Sequence, residues 1–141
     1  MTGTRYLVDT SAVVRFAREP ELRGAWRAQF AAGAVAICSI TELEFCHSAQ
    51  SKAHLETMRA RLARAYVWVV VPDRVFERAL SAQEGLTRRG THRSAGAVDL
   101  LVAATAEAHG MTLLHYDADF LQVAEVTGQS THWVADPGSV N

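Results

Sequence analysis

A short apolar run that ends in an acid, Tyr6-Leu7-Val8-Asp9-Thr10-Ser11-Ala12, stands close to the start of the chain. The run is too short to be a helix, and small hydroxyl residues of the kind that open helices follow it at once. It therefore reads as a strand feeding a helix. A strand without polar alternation is covered on both faces, as in the middle of a parallel sheet. Its carboxyl end would deliver Asp9 to the edge where open α/β sheets assemble their sites. The expectation that follows is specific: three carboxylates from distant parts of the chain meet Asp9 there and hold a divalent metal.

The remainder of the 141 residues alternates in the same way. Helical patterns are expected from Ser11 to Arg18 and from Glu21 to Ala31, the latter with Leu22, Trp26 and Phe30 on one face. Val35 to Cys38 reads as a second buried strand. Ser39, with Glu42 three residues later, reads as a capping box opening the next helix. A helix from Ala53 to Ala65 leads to the β-prone run Tyr66 to Val71, stopped by Pro72. A long helix from Asp73 to Arg89, an apolar helix from Val98 to His109, a strand from Met111 to Tyr116 and a helix from Asp117 to Val126 complete the pattern, with His132 to Val134 as a last short strand. Strands alternating with helices give an α/β fold with a mainly parallel central sheet. The length suits one domain spanning 1–141.

A formal net charge of −1 excludes a globally basic nucleic-acid binder, so any polyanion must meet a local basic patch or a metal. Thirteen arginines stand against one lysine, Lys52, a bias that reads first as genome composition and second as suited to phosphate. Cys38 and Cys46 have neither C-x-x-C nor zinc-finger spacing and are expected as reduced thiols in a cytoplasmic protein. No apolar run reaches the roughly 20 residues that span a bilayer, so no membrane is expected.

Four acids fall at the expected carboxyl edge. Asp9 ends the first strand, Glu42 opens the helix after the second, and Asp117 follows the 111–116 strand. Asp99 begins an apolar helix, where a carboxylate is costly unless it caps or meets a cation. Each has a plainer reading as a helix cap or dipole partner. Asp73 obeys the same positional rule, so position alone over-selects. Chemistry adds weight: grouped carboxylates repel unless a cation compensates, and an all-oxygen set suits Mg²⁺ or Mn²⁺ rather than zinc.

Leu7-Val8-Asp9-Thr10-Ser11-Ala12, Thr41-Glu42-Leu43-Glu44-Phe45, Asp99 to Ala106 and Asp117-Ala118-Asp119-Phe120 occur in the order and spacing of PIN-domain ribonucleases. The chain most resembles the VapC toxins of bacterial type II toxin–antitoxin pairs. The resemblance implies a three-layer α/β/α sandwich, Mg²⁺- or Mn²⁺-dependent endoribonuclease activity and a cognate antitoxin encoded beside it; a homodimer is expected as well. By position it implies a catalytic and metal-binding quartet of Asp9, Glu42, Asp99 and Asp117, with Asp119 as a fifth acid and Ser11 as the hydroxyl beside the first Asp. Cys46 departs from the pattern, which usually has Gly there, and a packing change is expected.

Arg88, Arg89, His92 and Arg93 form the best local basic patch, and Arg88, Arg89 and Arg93 are expected to guide substrate phosphates. His115 reads as a structural histidine and His109 as a C-terminal dipole partner. The helices of residues 12–65 carry enough apolar surface for an antitoxin helix or a second copy. Two rivals remain at this level. A haloacid-dehalogenase-like phosphatase would need a second acid two residues after Asp9, where Ser11 stands. A non-catalytic binding module would use the acids only as caps.

Overall fold

The computed structural model describes residues 3–141. Among them the elements run β1 (Tyr6–Val8), α1 (Thr10–Arg18), α2 (Pro20–Ala25), α3 (Arg27–Ala31), β2 (Val35–Ile37), α4 (Ser39–Cys46), α5 (Lys52–Ala65), β3 (Val67–Trp68), α6 (Val75–Arg88), α7 (Ala97–Ala108), β4 (Thr112–His115), α8 (Asp119–Thr127) and β5 (Thr131–Trp133). The strands form one sheet in the order β3-β2-β1-β4-β5, and every pairing is parallel. β1 lies at the centre, so Asp9 leaves the sheet at its middle.

Strand side chains alternate between faces, and the two faces bury separate cores. Leu7, Ala36 and Leu113 face a core completed by Ala79, Leu86, Val102, Ala103 and Phe120. Val8, Ile37 and Leu114 face the other, with Phe16, Trp26, Met58 and Leu62. Helices thus cover both sides, giving the expected α/β/α layers. The small residues of α7 and Gly85 of α6 let helices close on one another; a Cβ at Gly85 would collide with Val126. No helix among the described residues is long and apolar enough to cross a membrane.

Three local expectations need correction. The 21–31 helix is two short helices, with Pro20 at the first turn of α2 and a break at Trp26. The Trp26 indole N–H donates to the Val134 carbonyl 3.0 Å away, a long-range bond that turns the chain there. The 66–71 run is a strand only over Val67 and Trp68, with one further bond from the Val69 N–H to the Ile37 carbonyl at 3.1 Å, because its neighbour β2 is itself three residues long. The capping box at Ser39 is not formed: the cap position of α4 falls on Cys38, with no side-chain bond to the helix.

Candidate active site

Asp9 directly follows β1 and caps α1, so the plain reading holds for half of its carboxylate. Its Oδ2 accepts the Ser11 N–H at 2.9 Å and the Ser11 hydroxyl at 2.6 Å. Its Oδ1 is buried and has no partner. A buried, unpaired carboxylate oxygen is a rare and costly state. Burial raises the pKa of Asp9, against the lowering effect of the Ser11 bonds.

Asp99 reaches the same point from the first turn of α7. Its Oδ2 accepts the Gly96 N–H at 3.2 Å, tying the carboxylate to the start of its own helix. Burial first, then the neighbouring Asp9, pushes its pKa up to about 6, with Glu44 and Asp117 adding repulsion. The third member is Glu44, which the sequence reading did not select. One oxygen from each of Asp9, Glu44 and Asp99 lies within 4.8 Å of the other two.

Glu42 does not join them. It lies two positions from Glu44 on α4, about 200° around a helix of 3.6 residues per turn. Its carboxylate approaches Arg59 of α5 at 3.8 Å, on the side of Cys46. Thr41 explains which side of α4 faces the site. Its side chain is fully buried and its hydroxyl donates to the Val8 carbonyl at 3.2 Å, pinning α4 to the end of β1. Glu44, three residues on, shares that side. The Thr10 hydroxyl then donates to Glu44 and holds it beside Asp9. Thr41 with an acid at i+3 was the available signal, and the capping-box pattern at Ser39 and Glu42 obscured it.

Asp117 stands outside the close trio but near enough to raise the proton affinity of Asp99 and of Asp119. Its Oδ1 accepts the Asp119 N–H at 2.9 Å and so opens α8. Ser11 links this turn to Asp9, since its Oγ also accepts the Tyr116 N–H at 2.8 Å. His115, behind the turn, is fully buried, and burial lowers its pKa to about 4.

The donor set fits a hard divalent cation. All three groups are carboxylates, they repel one another, and Asp9 among them has an oxygen buried without a hydrogen bond. Zinc would call for nitrogen or sulfur, and neither Cys38 nor Cys46 enters the group.

The PIN domain family matches residues 6–126 of this chain. Ribonuclease VapC21 of Mycobacterium tuberculosis is 43% identical over 136 residues, covering 96% of this chain and 98% of that protein. This protein belongs to the PIN-domain family and to its VapC branch. Ribonuclease VapC51 of the same species is 38% identical over 97% of this chain and 98% of that protein. Solved structures share the fold. VapBC from Salmonella typhimurium bound to DNA superposes with a TM-score of 0.75 at 18% identity, over 94% of this chain and 100% of that one. VapBC2 from Rickettsia felis bound to a promoter fragment gives 0.77 at 15% identity, over 92% and 98%. The phosphatase and binding-module readings gain no support from these likenesses.

Around this PIN-domain edge the basic loop is less available than the sequence suggests. Arg88 pairs with Glu84 on α6 at 2.9 Å, and Arg89 pairs with Glu125 of α8. Of the proposed phosphate guides, Arg93 is exposed and forms no ion pair among the described residues. On the other side, a groove of about 790 Å³ runs between α1, α3, α4 and α5. Its lining includes Thr10 and Glu44, so it adjoins the acids; Phe16, Phe30 and Leu62 supply apolar surface, and Arg18, Arg23 and Arg61 supply charge.

Proposed function

We propose that this VapC protein is an Mg²⁺- or Mn²⁺-dependent endoribonuclease, the toxin of a type II pair, in which Asp9, Glu44 and Asp99 hold the ion. The observation that carries the reading is the close grouping of the Asp9, Glu44 and Asp99 carboxylates, with Asp9 Oδ1 buried and unpaired. When bound, the ion supplies charge neutralisation and Lewis acidity toward a phosphoryl oxygen. The protein's own part is to hold the acids close despite their repulsion. Ser11 fixes one oxygen of Asp9 and leaves the other free, Thr10 holds Glu44, and the Gly96 N–H orients Asp99. Burial and the neighbouring carboxylates raise the Asp99 pKa to about 6, so it holds its proton more tightly than an ordinary aspartate, and a bound cation would favour its ionised form. Asp117 and Asp119 add negative charge at the rim and are proposed to orient water or a second ion. Arg93 is proposed to steer the RNA backbone.

The partner proposal follows from the groove. A cognate antitoxin segment, apolar on one side and acidic at positions facing Arg18, Arg23 and Arg61, suits its lining. Its contact with Thr10 and Glu44 would let such a segment cover the acids. A homodimer is proposed as well. Val67, Trp68, Val70, Phe76 and Leu80, all exposed within one short stretch, support that stretch as its interface. An RNA-cutting protein with two buried, unpaired cysteines is assigned to the cytoplasm.

The test is cleavage of a mixed RNA pool by purified protein, with and without a chelator, against Asp9→Asn. Cleavage that needs Mg²⁺ or Mn²⁺ and disappears in the folded variant supports the reading. Equal cleavage by parent and variant, or cleavage that survives chelation, rejects it.

A further inference from the structure

His115 ends β4 with none of its surface exposed. Its ring lies 5.3 Å from that of Phe120 and 4.9 Å from that of Trp133, centroid to centroid. A histidine in such an apolar slot ordinarily finds partners for both nitrogens. This one has a single partner: Nδ1 accepts the Asp117 N–H at 3.2 Å. An Nδ1 that accepts a hydrogen bond carries no proton, so the neutral ring bears its proton on Nε2. Nε2 is buried and unpaired. A leucine would fill the slot without that penalty, so packing alone does not account for an imidazole here.

The turn that follows shows what the imidazole supplies. Between β4 and α8 the chain cannot use sheet bonds, and its amides are taken up by side chains. Tyr116 N–H donates to Ser11 Oγ at 2.8 Å, Asp117 N–H to His115 Nδ1, and Asp119 N–H to Asp117 Oδ1 at 2.9 Å. The first of these bonds ties the turn to Asp9, because Ser11 Oγ donates to Asp9 Oδ2. The last orients the Asp117 carboxylate from its far end. The bond to His115 is the one that fixes the backbone at Asp117 itself, from the apolar side.

We propose that His115 is a positioning residue: its Nδ1 holds the Asp117 backbone and thereby aims the Asp117 carboxylate at the Asp9–Glu44–Asp99 group, at the expense of an unpaired buried Nε2–H. The proposal rests on the metal-nuclease reading of that group. It separates stability from function, which a packing residue would not do.

Two variants of the full chain test it. His115→Leu keeps the volume and removes the acceptor; His115→Asn restores an acceptor near the Nδ1 position in a smaller side chain. Two quantities are read for each, Mn²⁺ affinity by calorimetry and hydrogen exchange at the Asp117 amide. The Leu variant should melt at or above the parent temperature, bind Mn²⁺ ~10-fold or more weakly, and exchange the Asp117 amide faster. The Asn variant should melt lower yet recover most of the affinity and protection. Parent-like Mn²⁺ affinity and protection in His115→Leu would overturn the proposal, as would an Asn variant no better than Leu. If the parent itself binds no Mn²⁺, the metal-nuclease reading fails, and the exchange data still decide whether His115 holds Asp117.

Discussion

The acidic edge and the arginine-bearing loop are both concentrations of like charge, and the protein treats them in opposite ways. In the loop, two of the three arginines are paired: Arg88 meets Glu84 and Arg89 meets Glu125, in exposed pairs worth little to stability. At the edge, Asp9, Glu44 and Asp99 are brought together with no arginine or lysine paired to any of them among the described residues. Burial and mutual repulsion then raise the pKa of Asp9 and Asp99. The same contrast is drawn within one helix. Glu42 on α4 faces Arg59, while Glu44 two residues later faces carboxylates.

The largest effect expected from this contrast is at its centre. Asp9→Asn or Asp99→Asn should cut metal-dependent RNA cleavage by on the order of 100-fold or more while leaving circular dichroism unchanged. Retained cleavage would dissolve the distinction between the edge and the loop. Next comes the pair on α4. Glu44→Gln should weaken Mn²⁺ binding by ~10-fold or more, whereas Glu42→Gln should change it by less than about 3-fold. The reverse order would restore Glu42 to the site.

A pH profile sharpens the comparison further. The folded-state pKa of Asp99 is about 6, above its ordinary value of 3.8. An acid whose folded pKa is raised binds protons more tightly when folded, so it penalises the folded state at neutral pH. The penalty is relieved as pH falls through about 6 toward 4. Chelated protein should therefore melt higher near pH 5 than near pH 7 in this respect, and Asp99→Asn should flatten that difference. Mn²⁺ added at pH 7 should raise the melting temperature of the parent more than that of the variant. The smallest effect belongs to the loop. Arg93→Gln should lower the salt slope of RNA binding by ~1, while Arg88→Gln and Arg89→Gln should leave it nearly unchanged.

The positions of Asp9, Asp99 and Asp117 at strand ends and helix starts were legible; of these, Asp9 and Asp99 fall in the close carboxylate group and Asp117 lies outside it. The alternation of apolar runs with helical periods also foretold the parallel sheet with β1 inside it. Glu44 was not legible for a local reason. Ser39 and Glu42 imitate a capping box, and nothing nearby in sequence reveals that the cap falls one residue earlier, on Cys38. What orients α4 is the buried Thr41 bond to Val8, between residues 33 apart in the chain. The pairing of Arg89 was hidden for the same reason. Arg89 reads as free until Glu125, 36 residues away, is folded against it. Short-range pattern places elements; which face of an element meets a distant partner is decided by packing.

The most direct test of the account is the anomalous difference map of a crystal of this protein soaked in Mn²⁺. The account predicts a peak ~2.2 Å from Asp9 Oδ1 and in contact with Asp99 and Glu44, reduced or lost in an Asp9→Asn crystal. A map with no peak among these three carboxylates, or with the ion instead on Glu42, would contradict it.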